Sequence, residues 1–525
     1  MLNNTSLPRL SRRGLGAGAI AAAVIGSTGV RPAYAGSVVR MSVTDAGFPA
    51  KTLDSYKKGI AAMLALPPED PANWYRQAII HVLDCPHSNW WLLPWHRAYI
   101  LRLESLIRKY SGDPDFALPY WDWTATPKVP DAFWDGVLNP ADPAYVTDKK
   151  LFKTQFQPAL DSLWASFNAD QQGWMQKRGI KSSSDLMNQV VSQFPRANNT
   201  RTLTKANPDL TPTAQAAVSI DTINNQVLSP TSFTDFGSNT ADNHDLMTGS
   251  DALESQPHNN VHNAISGFMA GFMSPVDPIF WLHHANVDRL WSVWTAAQTD
   301  PLPPGNAWPK EPFDFFFNAA GQPDPTTAGA QESTTALGYT YQTGSGTVPK
   351  STTLVASQPP KVRAFSAARV NNAPLSLASN VDGTIALAGV PTSPTIAPAS
   401  MSIQLTVTRP PNPNIGLLVF LNLPNASPST PLTDPHFVGP IAFFGSDHPG
   451  MAHGPLKITL PIGHVVSRLR AAKLMSSDSI TVQVVTVAET PSAPADVTPL
   501  MAEPMQHGLA MGGEGVLNSV KILVR

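Results

Sequence analysis

The histidines near the middle of this chain are spaced in a way that limits what the chain can fold into. His258 and His262 are four residues apart, so on a helix their side chains lie on one face. A turn rich in proline at 274–278 ends that helix, and His283 and His284 stand at the start of the next helical run. Two imidazoles on one helix and a third from the facing helix can hold one metal ion. The pattern therefore predicts a metal site between two packed helices.

A second histidine group lies upstream. His87 and His96 flank the segment SNWWLLPW, and His81 precedes them in QAIIHVLDC. A single histidine on an apolar face is usually a core residue, but two compact groups of three predict a dinuclear site inside a helix bundle. Neutral imidazoles without a set of thiolates or carboxylates favour copper, zinc, iron or nickel, and the spacing alone does not choose among these metals.

Composition separates the chain into two parts of different kind. All 13 tryptophans lie between Trp74 and Trp308, whereas the 51 prolines concentrate in the second half. Tryptophan is a large core residue, and frequent proline fits a domain with many turns better than long helices. The net charge of −2 and the charged fraction of 14% provide no basic track for phosphates, so a nucleic-acid partner is not expected.

Several long motifs carry a family resemblance between Ala72 and Tyr341. They are CPH ending at His87, the spacing of eight residues from His87 to His96, PHNNVH ending at His262, and DPIFWLHHANVDRLW around His284. The chain resembles the type 3 copper family, which comprises tyrosinases, catechol oxidases and molluscan-type haemocyanins. His81 departs from the pattern, because many relatives place the first ligand much further upstream.

The resemblance implies two copper ions, which bind O2 as co-substrate. It assigns CuA to His81, His87 and His96, and CuB to His258, His262 and His284. Four further residues are expected beside the ligands rather than on the metal: His283, Asp288, Arg97 and Phe280. Asp288 is expected to hydrogen-bond a neighbour such as Arg97 and so to orient a ligand helix.

The predicted fold class is α + β with several domains. The resemblance implies a mainly α-helical catalytic domain at 36–341, with a central four-helix bundle that holds both coppers. A linker at 342–359 is rich in Thr, Ser, Gly and Pro. Runs such as SIQLTV, GLLVFLNL, GPIAFFG, LKITLPI and SITVQVVTV then predict strands at 360–525. They indicate a β-sandwich or barrel, similar to the C-terminal domain that shields the site in latent polyphenol oxidases and haemocyanins.

Residues 1–35 are typical of an export signal. Arg12 and Arg13 form a twin-arginine pair, a weakly apolar run follows, and Ala33-Tyr34-Ala35 offers a cleavage site. A membrane anchor is the alternative, but the run is short and rich in Gly and Ala. We therefore expect export by the twin-arginine machinery to the periplasm or beyond, with no membrane association after processing.

Cys85 is the single cysteine, so no disulfide can form within the chain. One interpretation is a buried thiol that acts as a small apolar group. The resemblance supplies another, since a C-x-H motif in this family often carries a thioether between the cysteine sulfur and the histidine ring. Such a bond would fix His87, which lies in a predicted loop.

The leading functional prediction is a tyrosinase-like oxidase of small phenols, which hydroxylates monophenols and oxidises o-diphenols to quinones. A phenol has a pKa near 10, so the monophenol needs a base or an activated water. By resemblance, Glu254 and Asn259 hold that water; the alternative for Glu254 is a charge favoured by the helix dipole. The other candidate functions are a catechol or o-aminophenol oxidase without hydroxylase activity, and a haemocyanin-like O2 carrier.

A latent form is also expected. The loop 446–454 (SDHPGMAHG) follows a strand predicted to contain Phe443 and Phe444, and Met451 at its centre is the predicted plug of the site. His453 is a rival for that role, and an ordinary solvent loop is the remaining alternative.

Overall fold

The computed structural model describes most of the catalytic region and the strands of the C-terminal region. The described residues are 38–195, 200–349, 363–366, 370, 372–375, 380–386, 401–410, 415–445, 454–475, 479–488 and 515–524. The predicted export signal, most of the predicted linker and Met451 lie outside them. Among the described helices, none has an apolar stretch long enough to cross a lipid bilayer.

Helices dominate the first 300 residues. The α-helices of the described residues are α1 (Ala50–Leu64), α2 (Trp74–Asp84), α3 (Leu92–Ser111), α4 (Lys149–Ser166), α5 (Ala169–Lys177), α6 (Ser183–Ser192), α7 (Pro212–Ala217), α8 (Ile220–Thr222), α9 (Phe233–Phe236), α10 (Asn259–Ile265), α11 (Ile279–Ala297) and α12 (Gly463–Ala471). Single π-helical turns at Ile223–Val227 and Glu254–His258 continue α8 and precede α10.

Four of these helices, α2, α3, α10 and α11, carry the histidine groups, as expected. Local sequence fixes where two of them begin and end. Asn73 caps α2 by accepting a hydrogen bond from the Tyr75 amide at 2.9 Å, and Pro86 follows directly after the last turn. Helix α3 ends at Ser111 because Gly112 adopts a left-handed conformation with φ of 73°. The side chains between these helices are almost all buried.

Short strands join the catalytic region, and longer ones build the C-terminal region. The strands are β1 (Val38–Arg40), β2 (Gly249–Asp251), β3 (Pro312–Phe313), β4 (Thr326–Thr327), β5 (Tyr339–Tyr341), β6 (Arg363–Ser366), β7 (Ala373–Leu375), β8 (Asn380–Ala386), β9 (Met401–Thr408), β10 (Ile415–Leu421), β11 (Phe437–Ile441), β12 (Leu456–Pro461), β13 (Ser479–Ala488) and β14 (Gly515–Val524).

The C-terminal strands form two sheets. One has the order β11-β10-β13-β8, and the other has the order β2-β12-β9-β14-β6, with β7 also paired to β14. Strand β10 is buried along its whole length, as a strand between two covered faces should be. The predicted α + β class, with a helical part followed by a strand-rich C-terminal part, is confirmed.

One strand of the second sheet comes from the helical part. Residues 249–251 of β2 pair in parallel with Lys457–Thr459 of β12. Gly249 has φ of 152°, and a Cβ at this position would lie 1.9 Å from the Lys457 carbonyl oxygen. Only glycine permits this approach. The two parts of the chain therefore share a sheet directly upstream of Glu254.

The prediction that Phe443 and Phe444 lie within a strand was wrong. Strand β11 ends at Ile441, and residues 442–445, here called the plug segment, have no regular structure. The reason is local: the Ala442 amide donates to the Ser255 carbonyl at 3.0 Å instead of to a neighbouring strand. The chain thereby turns from the sheet onto the helices that carry the histidines.

Candidate metal centre

Seven histidines meet in the core of the helical part. His81 is on α2, His87 follows α2 in a loop, and His96 is on α3. His258 ends the π-helical turn before α10, His262 is on α10, and His283 and His284 are on α11. All are buried, with at most 2% of the side chain exposed.

The rings form two groups whose ligand atoms converge. His81, His87 and His96 form the first group with Cys85; His258, His262, His283 and His284 form the second, and within each group the ligand atoms lie within 4.8 Å of one another. The Nε2 atoms of His81 and His96 are 3.4 Å apart, as are those of His262 and His284. Nitrogens this close surround a point that a metal ion can occupy, so the donor set fits a metal in each group.

The opposite ring nitrogens are held by the protein. Nδ1 of His81 donates to the Phe272 carbonyl at 2.8 Å, and Nδ1 of His96 donates to the Leu92 carbonyl at 2.8 Å. In the second group, Nδ1 of His262 donates to the Met269 carbonyl at 2.6 Å. Because Nδ1 carries the proton of each hydrogen bond, Nε2 carries the lone pair that can bind a metal. The hydrogen bond also fixes the orientation of the ring.

Burial keeps these rings neutral. It lowers the pKa of His81 to about 3, although the hydrogen bond to Phe272 opposes the shift. It likewise lowers the pKa of His258 to about 4. Near pH 7 the nitrogens are therefore available as ligands without losing a proton.

The two groups touch through stacked rings. His96 and His284 stack in parallel at 4.0 Å between centroids, with an interplanar angle of 7°. His284 thus lies between the groups, whereas the ring of His283 lies 4.8 Å from His262 and 6.4 Å from Trp123. Phe280 packs against both groups, with centroids 5.2 Å from His81 and 4.3 Å from His284.

Cys85 lies among the first group. Its sulfur is 3.1 Å from Nδ1 and 3.9 Å from Nε2 of His87, so it lies against the imidazole ring. It is also 3.0 Å from Nε2 of His81. Burial raises the pKa of the thiol well above its ordinary value.

Asp288 joins the bundle to its surroundings. It accepts a bond from Arg97 at 2.5 Å, so the expected contact between these residues is present. The hydroxyls of Tyr339 and Tyr341 donate to its other oxygen at 2.7 and 2.6 Å. Asp288 is one helical turn beyond His284, so this network fixes the helix that carries His283 and His284.

Glu254 and Asn259 line the same small cavity, and each hydrogen-bonds to partners of its own. Glu254 accepts from the Ser88 amide at 2.7 Å and from the Ser238 hydroxyl at 3.0 Å. Burial raises its pKa to about 7, and the two hydrogen bonds lower it in part. Oδ1 of Asn259 is 2.7 Å from Nδ1 of His258 and accepts a hydrogen bond from the ring N–H.

The amide nitrogen of the Asn259 side chain holds the plug segment. Its Nδ2 donates to the Ala442 carbonyl at 2.8 Å, and the side chain of Asn263 donates to the Phe443 carbonyl at 3.1 Å. Gly445 closes the segment with φ of 62°, where a Cβ would lie 2.6 Å from the Phe272 ring. Two side chains of the helical part therefore hold the backbone just before Phe444, and Phe272 lies against Gly445 just after it.

Phe444 is the site residue that sequence reasoning missed. Its ring centroid lies 4.5 Å from His87 and 4.5 Å from His262, one ring of each group, and 5.5 Å from Phe272. The cavity bordered by Phe444, Glu254 and Asn259 has about 10 Å³ of free space, whereas pockets for small molecules usually have roughly 300–1,000 Å³. Phe444 therefore fills the approach to both histidine groups. The loop that carries Met451 lies outside the described residues.

The geometry agrees with what is known of similar proteins. The family model described as the common central domain of tyrosinase matches residues 65–297, which contain both histidine groups. Tyrosinase HcTyr1 from Hahella sp. (strain CCB-MM4) is 28% identical over 326 residues, which are 55% of this chain and 60% of that protein. The (+)-larreatricin hydroxylase of Larrea tridentata is 30% identical over 268 residues, which are 46% of this chain and 38% of that protein. The chain therefore matches less than two thirds of the length of each of these relatives.

Solved structures show the same fold over both parts of the chain. Latent apple tyrosinase superimposes with a TM-score of 0.59 and 18% identity, over 94% of this chain and 99% of that one. A latent aurone synthase does so with a TM-score of 0.60 and 19% identity, over 94% of this chain and 90% of that one. Residues 65–297, which carry the converging histidines, therefore match the central domain of tyrosinase, and the fold shared with the latent enzymes extends through the C-terminal sheets.

Proposed function

We propose that this protein is a copper-dependent phenol oxidase that uses O2. The observation that carries the proposal is the pair of buried, neutral imidazole groups with converging Nε2 atoms. His81, His87 and His96 would hold one copper ion, and His258, His262 and His284 the other. Imidazole tolerates both oxidation states of copper and adds no charge. The bound coppers would supply O2 binding and electron transfer.

Two reactions of phenols with O2 would be open to such a copper site. An o-diphenol loses two electrons and two protons to become an o-quinone, and half an O2 accepts them to form water. A monophenol first gains one oxygen atom beside its hydroxyl, so that one O2 yields the o-quinone and one water. This second reaction requires the phenol proton to leave before the ring approaches a cationic metal.

Glu254 is the candidate acceptor of that proton. A carboxyl with a pKa of about 7 is partly ionised at neutral pH, which suits a general base. Its hydrogen bond to the Ser88 amide places it next to the loop of His87. Asn259 aligns the His258 ring through Nδ1. We propose that the two residues support hydroxylation more than catechol oxidation.

Substrate assays decide among the candidate functions. Copper-loaded protein is supplied with O2 and either L-tyrosine or catechol, and quinone absorbance is recorded. Turnover of both substrates supports the hydroxylase, and turnover of catechol alone supports a catechol or o-aminophenol oxidase. Reversible O2 binding without turnover, also in protein with Phe444 removed, would refute the oxidase and leave an O2 carrier.

We also propose a thioether between Cys85 and His87. The sulfur lies 3.1 Å from Nδ1 and 3.9 Å from Nε2 of His87, so it is close to the imidazole ring. Formation of the carbon–sulfur bond removes one hydrogen from each partner, and O2, the proposed co-substrate, would accept the two electrons and two protons to become H2O2. Mass spectrometry of the peptide that contains both residues should show a loss of two hydrogens. A Cys85 that is freely alkylated in copper-loaded, unfolded protein would exclude the bond.

We further propose that the protein is made in a latent form and exported. Phe444, rather than Met451, is the candidate plug, because it fills the space that a phenol ring needs beside both groups. Asn259 donates its side-chain amide to the plug segment. The latent form would therefore engage a residue that we propose supports hydroxylation. Export would follow from the twin-arginine signal at 1–35; replacing Arg12 and Arg13 by lysine should retain the protein in the cytoplasm.

A further inference from the structure

His244 is a buried histidine that the proposed chemistry does not use. It lies outside both histidine groups, and only 4% of its surface is exposed. Nε2 is 3.0 Å from a carboxylate oxygen of Asp84, and Nδ1 is 2.7 Å from a carboxylate oxygen of Glu311. A neutral imidazole carries one N–H and can donate to only one of these carboxylates. The geometry therefore requires the doubly protonated ring.

The charge is consistent with the surroundings of the ring. Burial would lower the pKa of His244, but Asp84 and Glu311 outweigh it and raise the pKa to about 10. Trp174 packs against the ring with centroids 4.8 Å apart. Glu311 also accepts from the backbone amide of His244 at 2.8 Å, so the ring is fixed at both ends.

Through Asp84 this ring reaches the first histidine group. Asp84 is the last residue of α2 and directly precedes Cys85. Its second oxygen accepts from the Trp95 indole at 2.8 Å, and Trp95 precedes His96 on α3. The carboxylate thus ties the end of one ligand helix to the start of another.

The His244 backbone makes a second contact, with the loop that carries His87. The His244 carbonyl accepts from the side chain of Asn89 at 2.8 Å, and Asn89 lies two residues after His87. Arg178 completes the enclosure by donating to the last carbonyls of α2, those of Val82 and Leu83. The loop 85–91 is therefore held by residues that lie outside both histidine groups.

We propose that His244 is the positioning residue for the loop that carries Cys85 and His87. Held between Asp84 and Glu311, it fixes the end of α2 and so sets the approach of the Cys85 sulfur to the His87 ring. The inference rests on the proposed copper site, whose existence is tested separately by the copper content of the unsubstituted protein.

Two substitutions of His244 distinguish the effect of its hydrogen bonds from the effect of its positive charge. Asparagine places its amide near Nδ1 and keeps the bond to Glu311 only, whereas glutamine places its amide near Nε2 and keeps the bond to Asp84. Both remove the positive charge. His436→Asn is the matched control, since His436 is buried in the C-terminal part and bonds the Leu421 carbonyl at 2.7 Å.

The test uses the full-length protein and copper alone. Copper affinity is measured by chelator competition, and the Cys85–His87 cross-link by peptide mass. For His244→Asn we expect about a tenfold weaker first copper site, the usual size for an outer hydrogen-bond partner, and a lower cross-link yield. His244→Gln should recover most of both, and His436→Asn should change neither.

Two results would overturn the inference. One is unchanged copper affinity and cross-link yield in His244→Asn; the other is an equal loss in the asparagine and glutamine variants, which would assign the effect to charge alone. If His244→Asn does not fold, Glu311→Gln decides, because Glu311 lies nearer the surface. That variant should show a smaller loss in the same direction, and a value equal to the unsubstituted protein would exclude the role.

Discussion

Replacing Phe444 by alanine should convert the latent protein into an active one. The ring lies between His87 and His262, where a phenol would have to bind, so substrate can enter only when the ring is displaced or absent. Alanine keeps the backbone bonds to Asn259 and Asn263 and removes only the ring. The change therefore tests occlusion without altering the ligands.

The size of the effect follows from the burial of the ring. Burying a phenylalanine removes at least roughly 150 Å² from water, which at about 25 cal/mol per Å² stabilises the closed state by about 4 kcal/mol. Because 1.4 kcal/mol corresponds to a factor of ten, the open state would hold roughly one molecule in 10³. We expect kcat/KM for catechol to rise by up to about 10³-fold.

The assay compares copper-loaded Phe444→Ala with the unsubstituted protein at equal copper content. Phe443→Ala is the matched control, because that ring lies 6.0 Å from the Arg409 guanidinium and belongs to the same segment. Both variants lose a buried aromatic ring and with it about 3–5 kcal/mol of stability, so measurements are made well below the melting temperature. Equal activity of Phe444→Ala and the unsubstituted protein would refute the occlusion argument, as would equal activation by Phe443→Ala.

Three further predictions concern single residues. Glu254→Gln should slow turnover of L-tyrosine by roughly 10²-fold and leave catechol turnover nearly unchanged, since only the monophenol needs the base; equal losses would indicate a structural role. His284→Ala should bind one copper ion and His283→Ala two, by metal analysis; the reverse would exchange their roles. Because the pKa of His244 is raised to about 10 from an unfolded value near 6.5, its stabilisation is complete below about pH 6.5 and is lost as the pH rises to about 10. Urea unfolding from pH 6 to 10 should show this slope, and its persistence in His244→Asn would assign it to another group.

Regular periodicity made much of the fold predictable. The spacing of His258 and His262 depends on the geometry of one helix, which the sequence shows directly. The runs of β-branched residues likewise predicted β9, β10, β12 and β13. These are local features, and the structure has them where the sequence predicts them.

The plug segment was not predictable in this way. Phe444 follows an apolar strand, so the pattern extended the strand through it; what ends the strand is the bond of Ala442 to Ser255, far away in sequence. The role of His244 was hidden for the same reason, because Asp84 and Glu311 are remote from it along the chain. Long-range hydrogen bonds leave no periodic signal.

The parallel pairing of β2 with β12 gives proteolytic activation two separate steps. A protease that cuts within residues 350–360 breaks one covalent link but none of the backbone bonds between residues 249–251 and 457–459. The bonds from Asn259 and Asn263 to the plug segment also survive the cut. A nicked protein should therefore run as one species in gel filtration and stay inactive, until mild detergent or denaturant separates the fragments. The cleaved chain would then be detected before any activity appears.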